Sequence, residues 1–504
     1  MSGAPSGARA ALAAYRGGRA DEARAILAGL GQAAADDSLA LQLMAILLPD
    51  ERRSESLALY ARAVRIAPGD AEAHFNLAVM LQRYDRLDEA VLHYQQALAL
   101  APAALSPLKA LADLLYRRGR HAEGWDLMQR YLAAGGNPAG GELLLAKLAL
   151  DTRRLDEAER WFQAAAAAAP DDANVTLEHA LLSLLVEDWA RGWRRYEARL
   201  TVHGHRKLGV YPHTAPRWEG EPIAGKSLLI HREQGLGDAM MFAAAVPGLL
   251  EEGARVHIAV QPALTRLFEI SFPEARAWAS LTDVLRTGPQ PPQKYLEAIE
   301  DPVDYQAPIG SLGLLRFSDG PPARRPYLRA DFADIAVWAA RLQALAPRRA
   351  GETRAGLVLS TRRPTFTKEG EINGARRSIP APLAQILAEA GNTHWFALHD
   401  RETAAMLADI PGLAFADLSP WLSDLADTAA AIANLDVVVS VDTAVAHLAA
   451  AMGKPVILML WFAADWRWGH ARADSAFYPN VAILRQPSAG DWAPVLHAVV
   501  RALA

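Results

Sequence analysis

The chain contains no cysteine. Disulfides, thiolate-bound zinc and thiol nucleophiles are excluded together, and a reducing compartment suits such a chain. It also lacks an excess of positive charge. The 52 Lys and Arg stand against 57 Asp and Glu, a net charge of −5 at pH 7, so general affinity for nucleic acid is not expected. No apolar run reaches membrane-spanning length, and the opening stretch MSGAPSGARAALAAYRGGRADEAR has no apolar signal-peptide core. The expectation is a cytoplasmic protein with no membrane partner. What is present is 504 residues, 51% hydrophobic and 22% charged, enough for two or three globular domains.

The first two hundred residues repeat. In 71–102, AEAHFNLAVMLQRYDRLDEAVLHYQQALALAP, small residues alternate with larger ones as in a hairpin of two closely crossing helices. Leu77, Ala78, Leu81, Ala90, Tyr94, Ala97 and Pro102 fill the signature positions of a tetratricopeptide repeat, which this stretch resembles. Stepping the pattern along the chain puts the small residue of each second helix at Ala23, Ser56, Ala90, Gly124, Ala158 and Ala190. The spacings are 33, 34, 34, 34 and 32, and prolines close units at Pro68, Pro102 and Pro170. The short first unit and the divergent last one, EDWARGWRRYEARL, read as caps. An array over 1–200 predicts a superhelix whose groove takes a protein or peptide; a purely structural or dimerising array is the alternative.

Residues 201–225, rich in His, Gly, Pro and aromatics, read as an ordered connector. Within and just after it, Gly220-Glu-Pro-Ile-Ala-Gly225-Lys226-Ser227 matches the P-loop pattern letter for letter. A P-loop follows a strand and opens a helix. Here the strand comes after the lysine, so the match is accidental.

Two α/β domains follow, at 226–335 and 336–504. In the first, the strand Ser227–His231 leads into Arg232-Glu-Gln-Gly-Leu-Gly-Asp238 and a helix, and Val256–Val260 is the next strand. A glycine-rich turn at a strand's carboxyl end is where α/β folds bind ligands. Met240 stands where a dinucleotide fingerprint has its third glycine. The bland role of Asp238 is to cap the helix. Residues 284–302 read as loop.

In the second domain, LDVVVSVDTAVAHLAAAMGKPVILML at 435–460 is a strand, a helix over Ala444–Met452, a glycine stop at Gly453 and another strand. Asp442 and Thr443 are both good N-caps. With His447 one turn on, they sit at a helix N-terminus, which favours anions. Packing and capping alone also explain them. Upstream, TRRPTFTKEGEINGARRSIP at 361–380 brings Arg362, Arg363, Lys368, Arg376 and Arg377 after another strand. Arginines there suit a phosphate. Downstream, Trp461-Phe-Ala-Ala-Asp465-Trp466-Arg467-Trp468 offers Trp and Arg for stacking on a base or sugar, or for packing.

The D-T-x-x-x-H-L-A-A-A-x-G-K-P element resembles the nucleotide-sugar-binding element of bacterial heptosyltransferases, which have two Rossmann-like domains facing a cleft, the GT-B fold. The resemblance implies donor binding at Asp442, Thr443 and His447, with Arg376 and Arg377 beside them. It also implies a general base at Asp238, because G-D followed by Pro247 is similar to that family's turn. Arg232, Gln234, Gly237, Arg362, Asp465 and Arg467 are candidate cleft contacts. The family's W-x-G-N turn is replaced here by Leu359-Ser-Thr-Arg362, whereas R-S-I-P at 377–380 and D-W-R-W at 465–468 match.

The expected class is therefore multidomain: an all-α repeat superhelix, then an α/β GT-B half. The layout is similar to flagellin glycosyltransferases. That implies transfer of a nonulosonic acid, such as pseudaminic acid, from a CMP donor to Ser or Thr of flagellin held by the repeats. The alternatives are a transferase acting on a saccharide, a non-catalytic scaffold, and an O-GlcNAc transferase using a UDP-sugar. The last is disfavoured by the short catalytic half. No Asp-x-Asp pair sits at a strand end in either α/β domain, so a metal-independent enzyme is expected, with the nucleotide-sugar as substrate and no cofactor.

Overall fold

The computed structural model describes residues 7–202, 215–279, 303–322, 325–361, 374–401, 403, 407 and 410–504. The chain divides into two compact units, Met1–Pro170 and Asp171–Ala504.

The first unit is a run of helical hairpins: α1 Gly7–Arg16 with α2 Ala20–Gly29, α3 Ser38–Leu47 with α4 Arg53–Ile66, α5 Ala71–Arg83 with α6 Leu87–Leu100, α7 Leu105–Arg117 with α8 His121–Ala133, and α9 Pro138–Asp151 with α10 Leu155–Ala168. The sequence dictates both ends of each turn. Asp37, Asp70 and Asn137 cap α3, α5 and α9 through their side-chain oxygens. Within hairpins, the turn residue is left-handed at Gly18, Asp85, Gly119 and Arg153. The small residues Ala23, Ser56, Ala90, Gly124 and Ala158 are all buried, so paired helices cross closely. Leu77, Leu81, Tyr94, Leu108, Met128 and Leu145 belong to one continuous core across neighbouring repeats.

The second unit opens with one more hairpin, α11 Ala173–Leu185 and α12 Trp189–Tyr196. Its turn residue, Glu187, is again left-handed, in step with Asp85, Gly119 and Arg153. The crossing residue is Gly192, not Ala190: Ala190 is exposed, Gly192 is buried, and a Cβ on Gly192 would lie 2.6 Å from the Leu184 side chain. This hairpin, read from the sequence as the end of an array reaching residue 200, falls on the second unit's side of the division at Pro170.

Two parallel sheets follow. The first, β1 Ser227–His231, β2 Arg255–Val260, β3 Arg276–Ala279 and β4 Tyr305–Pro308, has the order β3-β2-β1-β4. The second, β5 Thr353–Val358, β6 Thr393–Ala397, β7 Phe415–Asp417, β8 Val437–Val441, β9 Val456–Leu460 and β10 Val481–Arg485, has the order β10-β9-β8-β5-β6-β7. The pairings between these strands are all parallel. Strands β1, β8 and β9 are buried along their whole length, as their unbroken apolar runs require. The expected class is thus observed: helical repeats, then two parallel α/β lobes. In each sheet the chain starts near the middle and later crosses to the other side. The switch points are β1/β4 and β5/β8, and the carboxyl ends of strands at such points are where α/β folds bind ligands. The P-loop look-alike is no phosphate loop. Lys226 precedes β1, with its Nζ 3.5 Å from Asp304.

Candidate active site at the two switch points

The turn after β1 carries Arg232 to Asp238. Gly235 is the N-cap of the helix Leu236–Phe242 and Asp238 is its third residue; its Oδ2 accepts the Gly235 N–H at 3.0 Å. From the third helical position Asp238 therefore reaches back to the N-cap backbone, and it is not the N-cap expected from the sequence. The helix read as one run, AMMFAAAVPGLLEEG, breaks at Ala243–Ala245, and Pro247 sits in the first turn of the next piece. Gln234 holds a left-handed φ of 59°. Its side chain donates to the Tyr196 hydroxyl at 2.6 Å and its carbonyl accepts from Gln261 at 3.1 Å. Arg232 is half-buried.

The turn after β8 carries Asp442 and Thr443. Thr443 is the N-cap of the helix Ala444–Ala451, accepting from Ala446 N–H. Asp442 is not a cap. It is 7% exposed, accepts from the Trp468 indole at 3.0 Å, and has Arg377 at 3.4 Å. Burial would raise its pKa, but Arg377 and the Trp468 N–H outweigh that and hold it below the usual carboxylate range. His447 is 4% exposed; its Nδ1 is 2.9 Å from the Tyr478 hydroxyl and its Nε2 4.0 Å from Asp442. Burial lowers its pKa, with Asp442 opposing. The two residues, at a loop and in the helix that follows it as expected, are both buried.

The two turns meet. Gly237 packs against the His447 ring, where a Cβ would lie 2.8 Å from Cδ2. A side chain at 237 would push the lobes apart. Asp238 is bonded by Arg467, whose guanidinium also holds Asp465 and lies over the Trp466 ring at 4.5 Å. Burial would lower the Arg467 pKa, but Asp238 and Asp465 raise it well above the usual value. Of the aromatics in that loop, Trp466 and Trp468 are buried, and half-buried Trp461 faces Arg376 at 5.8 Å. Thus Asp238, Gly237, Asp442, His447, Arg377, Asp465 and Arg467 gather, Thr443 caps beside them, and Arg376 stands farther out against Trp461. Arg362, Arg363, Lys368 and the loop read at 284–302 lie outside the described residues.

Sequence reasoning missed Tyr478, Tyr196, Glu233 and Arg199. Glu233 is fully buried and pairs with Arg199, itself 1% exposed, through bonds of 2.8 and 3.0 Å. A charged residue inside a strand-end turn was the available signal, since such a group is buried only when paired.

Comparison with known proteins finds likeness to two families, over part of the chain each. A profile described as Glycosyltransferase family 9 (heptosyltransferase) matches residues 381–460, and a Tetratricopeptide repeat profile matches residues 71–104. Two stretches of the chain are thus similar to known families, one to glycosyltransferase family 9 and one to the tetratricopeptide repeat. The family 9 match contains Asp442, Thr443 and His447; it stops before Arg467 and does not reach the Asp238 turn. Protein FlbA of Caulobacter vibrioides is 28% identical over 461 residues, which are 86% of this chain and 73% of that protein. A solved glycosyl transferase family 9 structure from Veillonella parvula covers 53% of this chain and 88% of its own, at 12% identity and a TM-score of 0.38. Pseudomonas aeruginosa pilF covers 39% and 90%, at 16% identity and 0.35. No described helix is long and apolar enough to cross a membrane.

Proposed function

We propose that the chain is a metal-independent protein O-glycosyltransferase of GT-B type. It moves a sugar from a nucleotide donor to a Ser or Thr hydroxyl of a protein held by the repeats. By resemblance the sugar is a nonulosonic acid such as pseudaminic acid, the donor CMP-linked, and the acceptor flagellin.

The observation that carries the reading is the meeting of Asp238 with Arg467. A carboxylate from one lobe pairs with a guanidinium from the other, and the adjacent Gly237 packs on His447, in the helix that opens at Ala444. As the acceptor oxygen attacks the sugar carbon, Asp238 takes its proton and the bond to the donor phosphate breaks. Arg467 and Arg377, with the N–H groups opening Ala444–Ala451, neutralise the departing phosphate in place of a metal.

Calorimetry with CMP-, UDP-, GDP- and ADP-sugars identifies the donor. With that donor saturating, Asp238→Asn is expected to bind normally and lose roughly 10²–10⁴-fold in turnover. A normal rate would remove Asp238 from the chemistry, and strict dependence on added manganese would remove the metal-independent reading.

A further inference from the structure

The hairpin α11–α12 has the geometry of a repeat, yet its far end is built into the turn that carries Asp238. The Tyr196 hydroxyl accepts from Gln234 at 2.6 Å. Arg199, just beyond α12, grips Glu233 through two bonds and donates to Ser311, after β4, at 2.9 Å. No space is left in this junction. A Cβ on Gly310 would lie 2.1 Å from Glu233 Oε1, and one on Gly313 would lie 2.3 Å from the Trp193 ring. Trp193 in turn touches Phe242 and Phe317 of the first lobe and Trp466 of the second.

Gln234 is the strained point. An L-residue keeps a φ of 59° only when its surroundings impose it. Glu233 fixes one flank, Gln261 holds the carbonyl, and Tyr196 holds the side chain. The next residue is Gly235, whose N–H sets the Asp238 carboxylate. The route from α12 to Asp238 is therefore two side-chain hydrogen bonds and one backbone step.

We infer that Tyr196 is a positioning residue for the transfer reaction, acting through Gln234 on Asp238, so that the last repeat hairpin is a working part of the catalytic turn. The inference rests on Asp238 being the base, as proposed above. The Tyr196 ring also meets Trp466 of the second lobe at 6.0 Å, a contact that Tyr196→Phe keeps, so loss of the hydroxyl alone is expected to reach turnover and not donor binding.

The test uses the full chain. In Tyr196→Phe, hydrogen exchange over 232–242 is expected to quicken roughly fivefold, the change in equilibrium that one lost hydrogen bond brings. Turnover at saturating donor is expected to fall about ten- to a hundredfold, as for a slightly misplaced reacting group, with donor KM within about twofold. Gln234→Ala, which leaves α12 intact, should quicken exchange in the same segment, and the double variant should be no slower in turnover than Gln234→Ala alone. Unchanged exchange in both single variants, or losses that multiply in the double, would overturn the inference. If Tyr196→Phe does not fold, Gln234→Ala alone decides by the same exchange measurement. Normal turnover in Asp238→Asn would remove the base while leaving the exchange result to decide the coupling.

Discussion

The hairpins α5–α6 and α11–α12 are the same structure under two regimes. In the first, side-chain bonds run to the neighbouring repeat: Asn76 donates to Gln42, 34 residues back, and Gln42 to Asp70, 28 residues on. In the second, they cross the chain. Arg199 meets Ser311 at a separation of 112 residues, and Arg472 meets Glu187 at 285. Elsewhere in the second unit Arg266 ties Asp424 across 158. The difference lies in what each hairpin packs against. A hairpin among its own kind is stabilised by neighbours, so its losses are local and small. A hairpin wedged into a different fold becomes one member of a buried polar network, where removing one partner strands the rest.

The largest expected effect tests that contrast directly. Glu233→Ala leaves the buried Arg199 with one carboxylate fewer and should destabilise the second unit by about 3 kcal/mol or more in denaturant unfolding. Asn137→Ala, which removes a cap in the array, should cost about 1 kcal/mol. Equal costs would break the comparison.

The next effect is a pH dependence. His399 is buried, and its Nε2 accepts the Leu359 N–H at 3.0 Å, so the neutral ring is required. Burial lowers its pKa to about 4, with Asp400 and Asp417 only partly opposing. The folded pKa lies below the unfolded one, so the unfolded chain takes up the proton first as pH falls. The stabilisation is complete above about 6.5 and is lost between there and about 4. At about 1.4 kcal/mol per pH unit this amounts to about 3 kcal/mol. His399→Gln keeps an acceptor without titrating. Its unfolding free energy should lose correspondingly less across that window; an identical profile would refute the assignment.

The smallest effect concerns the turn residue. Arg153→Gly relieves a left-handed φ of 57° and should stabilise the array by about 0.5 kcal/mol. Glu187 occupies the same turn position in the second unit but also accepts from Arg472 at 2.7 Å. There the same substitution should give no gain, and a gain at both would show that Glu187 is still an ordinary repeat turn.

What the sequence revealed follows the same line. The repeat phase, the strand Ser227–His231 and the element around β8 were legible because each is fixed by residues close in the chain. The last crossing residue was misplaced on Ala190, although Gly192 lies 34 residues after Ala158 and keeps the array's step. Which of Asp442 and Thr443 caps the helix depends on backbone angles that the residue types do not reveal, since both cap well. The Tyr196–Gln234 and Arg199–Glu233 bonds left no periodic trace, because they join segments of different folds. The burial of Asp442 and His447 likewise comes from Trp468 and Tyr478, supplied by a later part of the chain.

The left-handed turn recurring at Asp85, Gly119, Arg153 and Glu187 has a consequence for how such a chain is inherited. Units carrying that turn are interchangeable copies, so duplication or loss of one between Pro102 and Pro170 leaves every remaining junction of the same kind. The copy holding Glu187 has surrendered that freedom. It keeps the repeat's turn while its other end is committed to Gln234 and Glu233, so recombination that adds or removes repeats must stop short of it. A cassette of repeats exchanged as a block would be cut at Pro170, with the final hairpin kept by the α/β lobes.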